Sequence, residues 1–162
     1  MATTITIEQW ADQLSHMVRT GAIKKGLQVA ATSLAMQGQR RAVDFATDTP
    51  GRPQGLGRVS GALARSLAGT VEKGQGTIDV VLSSGGKDGF GAVPYARIHE
   101  EGDTITPRKG KYLRFKGSEG WATVKSVTIK PRPFLQPALV HISRKANRVI
   151  SLEITRLLEV GR

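Results

Sequence analysis

"GTVEKGQGTIDVVLSS", Gly69–Ser84, is where the chain changes its period. Two short runs rich in Val, Ile and Thr flank Gly74–Gly76, which is the composition of a β-hairpin with its turn at the glycines. The sequence before it reads as helix. After it, two further runs read as strand before Pro131 and Pro133 break the pattern. This one stretch separates an α+β fold from a helix bundle.

Upstream, Thr6–Val18 reads as a helix. Thr6 and Gln9 have the spacing of a capping box, and Ile7, Trp10, Ala11, Leu14 and Val18 fall on one face. Gly21 can end it. A second helix is expected over Ala22–Phe45, with Ile23, Leu27, Ala30, Ala31, Leu34 and Ala42 as its apolar stripe. Gly26 and Gly38 oppose it by ~1 kcal/mol each relative to alanine, yet such small residues would permit close helix packing. "TDTPGRPQGLGRV", Thr47–Val59, holds two prolines and three glycines and shows no periodicity. It reads as an exposed, mobile arm that includes Arg52, Pro53 and Arg58. "SGALARSL" then suggests a short helix with Ser60 as N-cap.

Downstream, "KYLRF" and "TVKSVTI" alternate and predict two further strands. A long helix from Phe134 to Glu159 closes the chain. Pro137 is acceptable only in its first turn. Leu139, Ile142, Ala146, Val149, Ile150, Ile154, Leu157 and Leu158 are its expected buried face. The prediction is one α+β domain over residues 1–162: a small antiparallel sheet of three to four strands packed against two or three helices, with a long C-terminal helix and an extended loop.

Composition narrows the function. The 162 residues include no cysteine, so disulfides and thiolate metal sites are excluded. No apolar run approaches the ~18 residues of a membrane helix, and "MATTITIEQW" has neither the basic nor the apolar region of a signal peptide. A soluble chain made in the cytoplasm is expected, with no membrane partner. The net charge is +11, and it is concentrated. Thr104–Arg148 holds eleven lysines and arginines against a single acid, Glu119, while the remainder is close to neutral. Such a field favours an acidic partner, either a polyanion or an acidic protein face.

Chemical motifs are sparse. No G-x-S-x-G elbow and no P-loop occur; "GLGRVSG" lacks the G-K-[ST] end and does not follow a strand. "HEEGD" gathers His99, Glu100, Glu101 and Asp103, but Asp103 stands where H-E-x-x-H needs its second histidine. Adjacent residues on a short helix also diverge, whereas metal ligands must converge. His141 reads as a partly buried packing residue. His16, near the end of the first helix, sits where a cation is mildly favoured. The basic segment raises nucleic-acid binding, but no C2H2 pattern, RNP-type aromatic strand or basic recognition helix accompanies it. Phe90, Tyr95, Tyr112, Phe115 and Trp121 could stack on bases, and their spacing fits core and edge packing equally well. Contact with a passing phosphate backbone needs only charge.

Three segments carry a resemblance. "RVSGALARSL" is similar to an R-x-T-G-x-L-x-x-S-I segment of tailed-phage neck and tail-completion proteins. "VPYARIHEEG" is similar to their V-x-Y-A-x-x-H-E-F-G segment, and "PRPFLQPAL" to their P-A-R-P-F-L-x-P-A-L segment. They occur in the family's order over Arg58–Leu139, and the flanking helices are compatible. The matched positions are Gly61, Leu63, Tyr95, His99, Glu100, Gly102, Arg132, Pro133 and Phe134. Glu101 departs from the pattern, standing where an aromatic is usual.

The resemblance implies a virion protein of the neck, made in the host cytoplasm, that completes the tail and joins it to the head. It implies a ring-forming α+β fold, a hexamer being favoured, with no catalytic activity and no cofactor. Its partners would be neighbouring neck, connector or tail-tube proteins, with non-specific contact to channel DNA. The alternative is a basic nucleic-acid-binding module of a prophage or mobile element. Within this reading Pro94 starts a one-turn helix whose buried side is Tyr95, Ala96 and Ile98. His99 and Glu100 hold a polar corner, and Gly102 permits a left-handed exit. "TITPRKGKYLRF" follows as a loop presenting Arg108, Lys109, Lys111 and Arg114 to a partner or to DNA.

Overall fold

The structure is a computed structural model that describes residues 7–47, 61–85, 93, 95–108, 110–117 and 120–160. Thr6, the arm from residue 48 onward with Arg52, Pro53 and Arg58, Ser60, Phe90, Pro94 and Lys109 lie outside the described residues. Among those described are five helices and six strands: α1 (Ile7–Arg19), α2 (Ala22–Ala46), α3 (Ala62–Ser66), β1 (Leu67–Lys73), β2 (Ile78–Ser84), α4 (Tyr95–Glu101), β3 (Asp103–Ile105), β4 (Leu113–Gly117), β5 (Gly120–Val124), β6 (Val127–Ile129) and α5 (Leu135–Val160). The α+β class stands as expected. No helix among the described residues is long and apolar enough to cross a membrane.

Helix α2 is the spine, about 37 Å long at 1.5 Å per residue. Gly21, with φ 68°, turns the chain out of α1 and into α2. The buried face of α2 is Gly26, Ala30, Ala31, Leu34, Ala35, Gly38, Ala42 and Ala46. This small-residue seam lets α5 and the β1–β2 hairpin approach its backbone on two sides. The two glycines that oppose helix formation locally have a packing reason. A Cβ on Gly26 would collide with Leu157 of α5, and one on Gly38 would stand 2.9 Å from Leu82 and 3.2 Å from Ile142.

The β1–β2 hairpin pairs from Leu67↔Ser84 to Lys73↔Ile78 and turns where the Gly74 N–H meets the Thr77 carbonyl. Its root is tied by polar groups. Buried Ser66 donates to the Leu63 carbonyl at 2.8 Å, its hydroxyl lies 2.9 Å from that of Ser84, and Gln39 donates to the Leu67 carbonyl at 2.9 Å. Buried hydroxyls are costly unless partnered, and this one is.

The expected single sheet of three to four strands is instead three two-stranded ladders: β1–β2, β3–β6 and β4–β5. "TVKSVTI" is not one strand. It straddles the end of β5 and all of β6, with Lys125 and Ser126 between them. Its half-buried positions reveal the break, because Ala122 and Val124 keep a period of two while Val127 and Ile129 resume out of phase. Helix α3 has Gly61 at its N-cap, in the left-handed region at φ 69°, where Ser60 was expected. Leu139 is 39% exposed and does not belong to the buried face of α5; Ala138 and Ile142 do. Ala146, Val149, Ile150, Ile154, Leu157 and Leu158 are half-buried as that face continues.

Candidate functional site

The three resemblance segments converge. Leu63 from the first, Ala96 from the second, and Phe134 and Ala138 from the third pack into one core with Ala42, Ala46 and Leu67. Phe134 is 0% exposed and is the largest fully buried side chain among the described residues. Residues distant in sequence therefore share one hydrophobic contact set at the C-terminal half of α2.

Hydrogen bonds lock the same junction. The Glu100 carboxylate accepts from the backbone N–H groups at the start of α5: Phe134 at 2.8 Å, Leu135 at 3.0 Å and Gln136 at 2.9 Å. A helix leaves its first four N–H groups without intrahelical acceptors. Glu100 takes three of them, and the fourth residue is Pro137, which has no N–H. The anion also sits at the positive end of the helix dipole. One residue away, the Arg132 N–H donates to the His99 carbonyl at 2.6 Å. Gly102, with φ 76°, takes the chain out of α4, its N–H donating to the Ile98 carbonyl at 2.8 Å. A Cβ there would press on Pro131 at 2.9 Å and on the Ile129 carbonyl at 3.0 Å. The polar corner expected of His99 and Glu100 is thus a clamp between α4 and α5.

Two neighbours depart from expectation. Tyr95 is 41% exposed and does not form the buried side of α4; Ala96 does, with Ile98 half-buried. The Tyr95 ring instead meets His99 edge-on at 5.9 Å. Burial, and secondarily the Arg132 charge, hold the His99 imidazole below its ordinary value of 6.5. Its Nδ1 is buried with no hydrogen-bond partner, so a proton there gains nothing. Arg132 and Pro133 are themselves exposed.

The clamp grips the root of a ribbon. β3 leaves Gly102 and pairs with β6, Asp103↔Ile129 to Ile105↔Val127, just before Pro131. The chain between them carries the β4–β5 hairpin, paired from Leu113↔Val124 to Gly117↔Gly120. β4 and β5 pack on each other and make at most glancing contact with the other described helices and strands. Strand alternation gives the hairpin two faces. Leu113, Ala122 and Val124 are half-buried on one, with Phe115 beside them. Arg114, Lys116, Trp121 and Thr123 are exposed on the other. The Arg114 guanidinium lies 4.9 Å over the Trp121 ring, and Trp121 is 66% exposed. Arg108, Lys111 and Lys125 are exposed nearby, as is Tyr112 at 54%. The ion pairs among the described residues, Arg41–Asp44 and Arg97–Glu101, involve none of these cations.

Of the predicted basic positions, Arg108, Lys111 and Arg114 are exposed, Arg114 on the ribbon and the other two in the segment leading to it, and Lys109 is outside the described residues. Sequence reasoning did not single out Lys116, Lys125 and the Arg114–Trp121 stack. Parity in "KYLRFKG" and "GWATVK" would have found them, since residues 112, 114 and 116 face the same way as 121 and 123. Among the described residues no three His, Asp or Glu gather in a geometry able to hold a metal ion. His16 is exposed on α1 and His141 half-buried on α5, as sequence position suggested. Burial and the charges of Lys145, Arg41 and Arg144 lower His141 below 6.5. A cleft of about 730 Å³ lies where α1, α2, the β1–β2 turn and α5 meet, lined by Met17, Leu27, Leu34, Val80 and Ile150 with Lys24 and Lys73. No protein-family model, curated protein or solved structure matches the chain.

Proposed function

We propose that the protein is a structural component of a tailed-phage neck, which completes the tail and joins it to the head through ring assembly. One observation carries the reading. The three segments that resemble neck and tail-completion proteins are far apart in sequence, yet they meet in one core and one clamp. The three segments thus act as one structural unit, as motifs that occur together in a family would. The polar residues of these segments are then architectural. Glu100 fixes the start of α5, and Gly102 fixes the exit of the ribbon. The ribbon projects toward a neighbour in the assembly, a connector or tail-tube ring. The role is mechanical rather than catalytic, resting on shape and charge.

The second reading, a nucleic-acid-binding module of a mobile element, is favoured by the stacked Arg114–Trp121 face alone. Deleting the coding sequence from the phage separates the two. Under the neck reading, heads and tails accumulate unjoined, and added purified protein restores infectious particles. Joined, infectious particles made without the protein would refute it.

A further inference from the structure

We infer that the outer face of the β4–β5 ribbon is a sequence-independent contact surface for duplex DNA. The inference stands on the geometry of the ribbon and does not need the neck reading.

The face has the chemistry of a phosphate binder. Arg114 and Lys116 stand two residues apart on β4, opposite Trp121 and Thr123 on β5, with Lys125 just beyond. Phosphate oxygens are contacted by Arg, Lys, Thr and Tyr, which is the population of this face with Tyr112 at its base. Protein interfaces share Arg, Trp and Tyr with this face, but their cores are depleted in lysine, and Lys116 and Lys125 tip the balance toward phosphate. The one large apolar group here, Trp121, has a ring face already covered by Arg114. That stack holds a planar guanidinium fork on the ribbon surface before any partner arrives, so less side-chain entropy is lost on contact. Among the described residues of the two strands, Thr123 and the Trp121 indole N–H are the uncharged hydrogen-bonding groups on this face, and no Asn or Gln stands there to read a base edge. Duplex DNA hides its bases and presents phosphate, so it matches this face better than single-stranded DNA, which needs open rings for stacking.

The test is fluorescence anisotropy of the full chain with unrelated duplexes across a salt series. Three to four phosphate contacts predict that affinity falls about 40- to 150-fold between 50 and 200 mM salt, equally for all sequences. The pair Arg114→Gln and Lys116→Gln should weaken binding at least about tenfold at low salt and flatten the salt slope by about two contacts. The pair Lys24→Gln and Lys25→Gln, exposed on α2, removes the same charge and should leave the slope unchanged. Trp121→Phe should keep most of the affinity and Trp121→Ala should lose several-fold. Equal loss from both charge pairs, tighter binding to single strands, or displacement of duplex by polyglutamate at matched charge would each overturn the inference. A ribbon variant that loses DNA but still joins heads to tails would leave this surface standing and place it outside the joining step.

Discussion

Glu100 caps the start of α5 from across the fold. Three charge-assisted hydrogen bonds and a helix dipole converge on one carboxylate. Replacing a helix cap with alanine costs about 0.5–2 kcal/mol, so Glu100→Ala should lower the melting temperature by roughly 2–6 °C. Glu100→Gln should recover little, because its NH2 group faces N–H donors. Phe134 tests the apolar half of the same junction. Phe134→Ala should cost about 3–5 kcal/mol, a far larger loss in the same melting experiment. His99 gives the junction a pH dependence whose sign is fixed. Its folded value lies below 6.5, so the unfolded chain binds more protons between the two values. Stability should therefore decline as pH falls through about 6.5 and level off below the folded value. His99→Gln should shallow that decline in melting temperature between pH 7.5 and 5, leaving the share that His141 contributes with the same sign. An unchanged pH profile in that variant would remove His99 as a cause.

At the scale of elements, the small-residue seam of α2 governs how closely helix and sheet approach. A Cβ on Gly69 of β1 would collide with the Ala35 carbonyl, and a backbone oxygen within α2 cannot move aside. Gly69→Ala should destabilise by about 1–3 kcal/mol through overpacking, visible as a lower urea midpoint. A neutral substitution there would mean that β1 lies farther from α2 than described. The ribbon is predicted to behave oppositely. Arg114→Glu with Lys116→Glu should hold the melting temperature within a few degrees, since exposed charges contribute little to stability. The sequence disclosed the long elements well. Helices α1, α2 and α5 announce themselves through period and through Gly21, Pro133 and Pro137. The Gly74–Gly76 turn is equally legible. The β3–β6 ladder was not legible, because three-residue strands carry no period and their pairing is set by the clamp at Gly102. Nor could the capping of α5 by Glu100 be read. That contact spans 34 residues and depends on how α4 and α5 meet.

At the scale of the whole molecule, the α4–α5 junction carries a basic ribbon whose strands, among the described elements, pack chiefly on each other. A two-stranded ribbon is marginal alone in water, and a neighbour in an assembly would add contacts to it. The proposed neighbour is another ring of the neck, with copies of this chain forming a ring of their own. Size measurement on isolated necks should find the chain in a cyclic species, six copies being expected. Electron cryomicroscopy of the intact virion tests the account most directly. It should show a closed ring of this chain between the head connector and the tail tube, with Phe134 and Glu100 inside each protomer and the β4–β5 ribbon reaching across a boundary. A virion whose neck is fully accounted for by other chains, or a single copy of this one with its ribbon in solvent, would contradict it.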